Sequence, residues 1–342
     1  MRAVRFNGVG KPLEIVELPD PAPGPDEVVV KVAACGICAS DLHMMDGSLP
    51  VRTPPPVTPG HEASGVIAEI GSAVVGWELG DRVCVAAGKP CRECATCRAG
   101  RSEECLTPLT LGVDYDGAWA EYVVTPAAAC VRLPDEVSFE IGAILADCVA
   151  TPYNAVVDVG KVKAGERVAV FGIGGLGTHA VQIARLSGAG FIAAVDTLPS
   201  ARERARSLGA DLTAEPDGAI AAIRAATGGE GVDVAFDFVG RNSVLKQAIA
   251  SLAPYGRCVQ VGVSGERIEL GPSILFAVRH TTLIGSYGYD RGHLETLARL
   301  VATGRLDLSR SISATVPLEA AADGVEMLES KRGDPVRILV VP

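Results

Sequence analysis

Short apolar runs broken by glycine and proline fill roughly the first 150 residues. "DEVVVKVAAC" reads as a nearly continuous apolar strand, and "GVIAEIG" and "GDRVCVAA" as two shorter ones bounded by Gly. "GAWAEYVVTP" alternates less cleanly and ends in a turn. The Pro-rich stretches "PDPAPGPDE" and "TPPPVTPG" read as surface loops. This half predicts a β-rich barrel.

The period then changes. "ERVAVFG", "FIAAVD", "GVDVAFDFVG", "GRCVQVGV" and "TTLIGSYG" predict strands. Helical patterns lie between them, among them "LGTHAVQIARLSG", which ends in Gly, and the charged amphipathic "SARERARSLGA". Strands alternating with helices predict a parallel sheet wound on both sides. After about residue 287, "GHLETLARLVATG" predicts a helix and "VRILVVP" a closing strand.

Composition narrows the function classes. A chain of 342 residues suffices for two domains with separate cores. A net charge of −10 argues against nucleic acid, which needs a basic face. No apolar run is long enough to span a membrane, and the N-terminal stretch has no signal-peptide core. A cytoplasmic location is therefore expected, with the ten cysteines as thiols or metal ligands and not as disulfides.

Three motifs carry chemistry. In "VAVFGIGGLGTHAV", Gly172, Gly174 and Gly177 have G-x-G-x-x-G spacing, follow a strand and open a helix. Gly172 allows the tight turn, Gly174 lets backbone approach a pyrophosphate, and Gly177 lets helix and strand pack closely. Gly175 and Leu176 complete the anion-binding helix N-terminus. Asp196 ends the next strand, 19 residues after Gly177, where a carboxylate accepts ribose hydroxyls and disfavours a 2′-phosphate. NAD is the expected coenzyme. Arg202 and Arg204 are expected on the solvent face of the following helix.

"CRECATCRAGRSEEC" sets Cys91, Cys94, Cys97 and Cys105 at C-x2-C-x2-C-x7-C. Four thiolates in so short a span can close a tetrahedron around a structural Zn²⁺. Glu103, Glu104 and the arginines predict an exposed loop. The third cluster is "ACGICASDLHMMDG" with "PGHEASG". Cys35 and Cys38 could form a redox pair, but no thioredoxin-like pattern surrounds them. A Cys, a His and one further ligand, with an open fourth position, make a catalytic zinc site.

With "GICASD", "GHE", the four-Cys loop, "GDRV" and "GIGGLG" in this order, the chain resembles the zinc-dependent medium-chain alcohol dehydrogenases over essentially its full length. The resemblance implies an α/β fold. Residues 1–149 and 287–342 would form a GroES-like β-barrel catalytic domain, and 150–286 an inserted Rossmann doubly wound parallel sheet, with substrate reacting in the cleft between them. It implies two zinc ions per subunit, one catalytic and one structural, and NAD.

Cys38 and His61 are the implied first two ligands, and Cys35 is then a buried small residue. The third ligand falls six residues before Tyr153, at Asp147. Cys148 beside it is expected to point into apolar packing, since adjacent side chains of an extended segment face opposite ways. Glu62 resembles the acid behind the metal. Ser40 and His43 resemble the proton relay that serves hydride transfer from the alcohol to the nicotinamide. Asp41 orients nearby backbone. Thr151, Val261 and Arg337 are implied coenzyme contacts, Arg337 at the pyrophosphate, and Trp119 an implied substrate-pocket aromatic. His179, His280 and His293 lack metal spacing.

The implied substrate is a small-molecule alcohol or ketone, a secondary alcohol in particular, with no nucleic-acid or membrane partner. A homotetramer or homodimer is expected, paired along the edge strand "TTLIGSYG". Three alternatives remain. One is a same-fold dehydrogenase of a polyol or hydroxyacyl-CoA. Another is a zinc-free reductase, against which Cys38, His61 and Asp196 count. The last is a non-catalytic, zinc-stabilised NAD-binding redox sensor.

Overall fold

The computed structural model describes residues 1–49, 51–101 and 105–342. Glu103 and Glu104, expected to expose the cysteine loop, lie outside the described residues. The chain forms two compact units, Met1–Cys148 with Arg291–Pro342, and Val149–Asp290.

The first unit begins with β1 (Arg2–Phe6) and β2 (Leu13–Glu17), an antiparallel pair. There follow β3 (Glu27–Ile37), β4 (Glu62–Ile70), β5 (Arg82–Val85), the short β6 (Gly88–Lys89) and β7 (Leu109–Thr110), then β8 (Tyr122–Pro126) and β9 (Cys130–Arg132). The second unit contributes β10 (Arg167–Phe171), β11 (Phe191–Val195), β12 (Leu212–Ala214), β13 (Val232–Asp237), β14 (Leu252–Gln260) and β15 (Thr282–Gly285). The chain returns to the first unit with β16 (Ala314–Pro317) and β17 (Ile338–Val341).

In the first unit the sheet order is β16-β17-β3-β4-β5-β9, with β8 also on β3. β3 is apolar along nearly its whole length because it has neighbours on both edges: β4 along one, and β8 then β17 along the other. Two register shifts against β4, at Val29/Val30 and Val32/Ala34, mark bulges, which bend a strand and increase its twist. The core holds Val30, Ile37, Ile67, Leu111, Trp119 and Ile338, all at most 1% exposed. Each such large apolar side chain contributes roughly 1.5–3 kcal/mol by leaving water.

This register positions the first site. Gly36 opposes Glu62 across β3 and β4, and Ile37 opposes Ile338 across β3 and β17. Cys38, His61 and Arg337, each one residue beyond a strand end, are thereby brought together at one end of β3, β4 and β17.

In the second unit all strands run parallel, in the order β12-β11-β10-β13-β14-β15. The chain winds outward from β10 through β11 and β12, then restarts at β13 on the other side. That reversal places the carboxyl ends of β10 and β13 at a topological switch point, where such sheets bind ligands. Among the described residues no helix is long and apolar enough to cross a membrane.

Candidate metal and coenzyme sites

Cys38 begins the helix Ala39–Met45, and its backbone N–H donates to Asp41 Oδ2 at 2.8 Å. The other Asp41 oxygen lies 3.6 Å from His61 Nδ1, which leaves Nε2 to face Asp147 Oδ2 at 3.8 Å. That same Asp147 oxygen is 3.2 Å from Cys38 Sγ. One donor atom each from Cys38, His61, Glu62 and Asp147 lies within 4.8 Å of the other three.

This set fits zinc. Bonds of about 2.0–2.3 Å at tetrahedral angles put neighbouring donors roughly 3.4–3.8 Å apart. The electrostatics also call for a cation. Asp41 Oδ1, His61 Nδ1 and both Glu62 oxygens are buried without a well-formed hydrogen bond. Burial, reinforced by the nearby Asp147, pushes the Glu62 carboxyl up to about 8 against the pull of Arg337. Burial opposes charge on His61, yet Asp41, Asp147 and Cys38 outweigh it and hold its pKa well above the ordinary imidazole value. So many acidic groups crowded out of water are what a bound divalent ion would relieve.

Asp147 and Cys148 lie in a π-helical turn, Leu145–Val149, not in the extended segment expected. A π turn still separates consecutive side chains around its axis, and such turns recur at functional sites. Cys148 is fully buried, but not in purely apolar packing: the Arg337 guanidinium interacts with it.

Arg337 itself departs from expectation. It is not a solvated edge charge but is only 3% exposed. Its Nη1 donates to Ile37 O at 2.9 Å, and its Nη2 lies 3.1 Å from Glu62 Oε1. Its position one residue before β17, in register with the end of β3, forces this burial. Gly36 completes the arrangement, since a Cβ there would lie 1.9 Å from Glu62 Oε2. Neither Gly36 nor the Arg337–Glu62 pair was foreseen from sequence.

Ser40 Oγ is 3.6 Å from Cys38 Sγ, at the edge of the cluster. His43 sits one turn further along the helix, 34% exposed, with Nδ1 3.0 Å from Ser48 Oγ. Cys35 is fully buried and apart from the donor set. Trp119 is not exposed to any lining surface: it is 0% exposed in the barrel core, and its indole N–H donates to Gly36 O at 3.3 Å. A core position with its one donor satisfied replaces the expected pocket aromatic.

Cys91, Cys94, Cys97 and Cys105 bring their four sulfurs within 4.8 Å of one another. Cys105 Sγ is 3.5 Å from Cys91 Sγ and 3.9 Å from Cys94 Sγ, bracketing the roughly 3.8 Å edge of a zinc–thiolate tetrahedron. The N–H groups of Cys91 and Cys94 donate to the sulfurs of Cys105 and Cys91, each at 3.3 Å. Thr96, with backbone N–H groups, lowers the Cys94 thiol to about 5, so it is a thiolate at neutral pH, the form that binds metal. The donor set fits a closed Cys₄ site.

In the second unit the glycines behave as their spacing predicts. Gly172 has φ +87, and a Cβ on it would meet Val239 at 2.5 Å. Gly174 faces open space, and a Cβ on Gly177 would lie 1.8 Å from Gly172 O. Gly174 caps the helix Gly175–Leu186, whose first residues Gly175 and Leu176 are partly exposed. The free space over Gly174 at a helix N-terminus fits a pyrophosphate.

Asp196 Oδ2 accepts from Ile173 N at 2.7 Å and Oδ1 from Leu198 N at 2.8 Å. A carboxylate has about four acceptor sites, so capacity remains for ribose hydroxyls. Arg202 and Arg204 do not lie on a solvent face. Arg202 donates to Asp196 O and Thr197 O, both at 2.9 Å, and Arg204 donates to Ile173 O at 2.7 Å. Arg204 thereby fastens its helix to the glycine turn, and Arg202 ties it to the end of the preceding strand. Val261 is 6% exposed just past β14, with its N–H on Asp237 O, and Thr151 is 6% exposed on the helix Ala150–Tyr153. His179 is buried with Nδ1 2.7 Å from Gly175 O, and His280 stacks on Tyr255. Asp237, unanticipated, receives the N–H groups of Val239 and Gly240 at the switch point.

Known proteins align with both halves. Residues 24–135 match the family described as "Alcohol dehydrogenase GroES-like domain", and residues 175–303 match "Zinc-binding dehydrogenase". The alcohol dehydrogenase of Geobacillus stearothermophilus is 35% identical, covering 94% of each chain. The NAD-dependent alcohol dehydrogenase of Sulfurisphaera tokodaii is 32% identical, covering 99% of this chain and 100% of that one. A crystal structure of an NAD-dependent alcohol dehydrogenase superposes with a TM-score of 0.90 at 32% identity over 100% of both chains. The chain belongs to the zinc-dependent medium-chain alcohol dehydrogenase family.

Proposed function

We propose that the protein oxidises an alcohol, a secondary alcohol in particular, to its carbonyl compound, with hydride passing to NAD⁺ and a proton to water. The observation that carries this reading is the meeting of one sulfur, one imidazole and one carboxylate, from Cys38, His61 and Asp147, apart from a second, all-cysteine cluster. A mixed donor set with room for a further ligand suits catalysis, whereas a Cys₄ shell suits structure.

Zinc held there would supply Lewis acidity, lowering the pKa of an alcohol hydroxyl. Asp41 fixes the imidazole by facing His61 Nδ1, so that Nε2 is left for the metal. Ser40, whose Oγ lies 3.6 Å from Cys38 Sγ, accepts a hydrogen bond from the alcohol and relays the proton, passing on its own as it takes the substrate's. His43, half-exposed and bonded to Ser48, delivers it to solvent. On the coenzyme side, the Gly172–Gly177 turn holds the pyrophosphate and Asp196 the adenosine ribose. Cys91, Cys94, Cys97 and Cys105 hold the second zinc.

The same reading includes a homodimer or homotetramer joined along β15, an edge strand of the parallel sheet. Next to it in sequence the helix Ser273–Val278 leaves Ile274, Leu275 and Val278 about 60% exposed. Light scattering measures the mass directly.

The test of the activity is a screen of NAD⁺ reduction, followed at 340 nm, against primary, secondary, cyclic and polyol alcohols. NADH formation that is lost on chelation and restored by Zn²⁺ is expected. Turnover unaffected by complete metal removal contradicts the reading.

A further inference from the structure

We propose that Ser48, backed by Asp46, holds His43 in the tautomer that leaves Nε2 bare as the proton acceptor of the relay. The inference rests on the alcohol-oxidising reading above and adds two positioning residues to it.

The chain turns back on itself at the end of the helix Ala39–Met45. Gly47, at φ +80, reverses it, and the N–H of Leu49 donates to His43 O at 2.8 Å. That turn places Ser48 beside the His43 ring. Ser48 Oγ lies 3.0 Å from Nδ1 and 3.4 Å from His43 O. The Ser48 N–H donates to Asp46 Oδ1 at 2.7 Å, and Asp46 Oδ2 lies 3.8 Å from Nδ1. Hydrogen bonds from the Ser48 hydroxyl and N–H hold the Asp46 carboxyl below its ordinary range, so it is charged at neutral pH. Asp46 stands at the carboxyl end of the helix, where the dipole disfavours an anion and favours a cation beside it.

Counting hydrogens then fixes the ring. A hydroxyl has one proton to give and lone pairs to receive. His43 O and the Asp46 carboxylate are acceptors only, and either takes the Ser48 proton. Oγ is left to accept, so Nδ1 must bring the hydrogen between them. The opposite tautomer would set a bare Nδ1 against a carboxylate, lone pair to negative charge. Nδ1–H therefore faces Ser48 and Asp46, and Nε2 keeps its lone pair. In the relay Nε2 takes the proton and Asp46 steadies the imidazolium. The same nitrogen then gives the proton to water, which returns the ring to its starting tautomer.

Nitrogen NMR of protein labelled with ¹⁵N in its imidazoles reads this directly, because bare and protonated ring nitrogens resonate far apart. The chain has five histidines, and His43→Gln identifies the His43 signals. At about pH 9, where an imidazole is neutral, the unaltered protein should show Nδ1 protonated and Nε2 bare. Ser48→Ala should shift the population toward Nε2–H. Asp46→Asn, which can turn its amide N–H toward Nδ1, should shift it the same way. Ser48→Ala should also lower kcat for alcohol oxidation about 10-fold, short of the roughly 100-fold or more that a general base supplies, since water still exchanges the tautomers. KM for NAD⁺ should stay within about twofold, a split that a general loss of structure would not give. Ser48→Thr, which keeps the hydroxyl, should restore both tautomer and rate. Nε2 protonated in the unaltered protein overturns the proposal. So does a tautomer unchanged in Ser48→Ala, or a Ser48→Thr variant no better than Ser48→Ala. Full turnover in His43→Gln would instead overturn the relay reading beneath the proposal, whatever the tautomer.

Discussion

Asp147 Oδ2 lies 3.2 Å from Cys38 Sγ, although 109 residues separate them in the chain. An acidic oxygen beside a thiol, with an imidazole 3.8 Å from the same oxygen, is a poor packing solution and a good set of metal donors. The contact depends on β3 ending at Ile37 and on the π turn that aims Asp147 inward.

The cysteine loop should be separable from activity at the metal level. Cys94→Ser removes the thiolate whose ordinary pKa is lowered to about 5. Zinc content should fall from two ions per chain to one, with a lower Tm. Atomic absorption and calorimetry measure both, and an unchanged zinc content would refute the Cys₄ assignment.

Coenzyme choice should depend on Asp196. Its carboxylate already receives the N–H groups of Ile173 and Leu198, which aim its remaining lone pairs outward. Asp196→Ala should raise KM for NAD⁺ by about 10- to 100-fold, the worth of hydrogen bonds to a charged acceptor, and should improve use of NADP⁺. Steady-state kinetics with both coenzymes decide it. A KM for NAD⁺ unchanged within error would place the ribose elsewhere.

Gly177→Ala is expected to damage the glycine turn through packing. The added Cβ would lie 1.8 Å from the carbonyl oxygen of Gly172, a backbone atom that cannot swing aside. NAD affinity and Tm should both fall, as measured by titration calorimetry and thermal melts. Normal values of both would show that the helix and turn can separate at no cost.

Acid sensitivity should have a local component at Asp233. Burial raises its pKa, but Arg167, bonded to it through Nε, Nη2 and backbone N–H, lowers it more, so the net shift is downward. A carboxyl lowered by folding stabilises fully above its unfolded pKa, about 3.9, and loses that contribution as pH falls through the folded value. Between pH 7 and 3.5 the urea midpoint should therefore fall further in the unaltered protein than in Arg167→Met. Parallel loss in both would remove this pair from the acid response.

What the sequence disclosed depended on how local the physics was. The central strand around "VVVKVA" was legible because its apolar run is a local property, as was the parallel sheet from strands and helices in alternation. The Gly172–Gly177 turn and the Cys91–Cys105 loop were legible because each is complete within a few residues. Cys38, His61 and Asp147 were nameable only through family resemblance, since their meeting depends on register across separate segments. The burial of Arg337 was not legible for the same reason: nothing near "PVRILVVP" says that β17 pairs with the end of β3 and sets the guanidinium beside Glu62. Trp119 and the arginines after Asp196 were misjudged because exposure is a tertiary property. Gly36 carried a readable signal, a glycine inside a strand, which often marks a close approach.

The most direct test is to measure zinc content and alcohol-dependent NAD⁺ reduction in Asp147→Ala and Cys148→Ala side by side. Asp147→Ala should retain the Cys₄ zinc, lose the other and show no turnover, while Cys148→Ala keeps two zinc ions and measurable activity. Two zinc ions and normal turnover in Asp147→Ala, with loss of both in Cys148→Ala, would contradict the proposed catalytic centre.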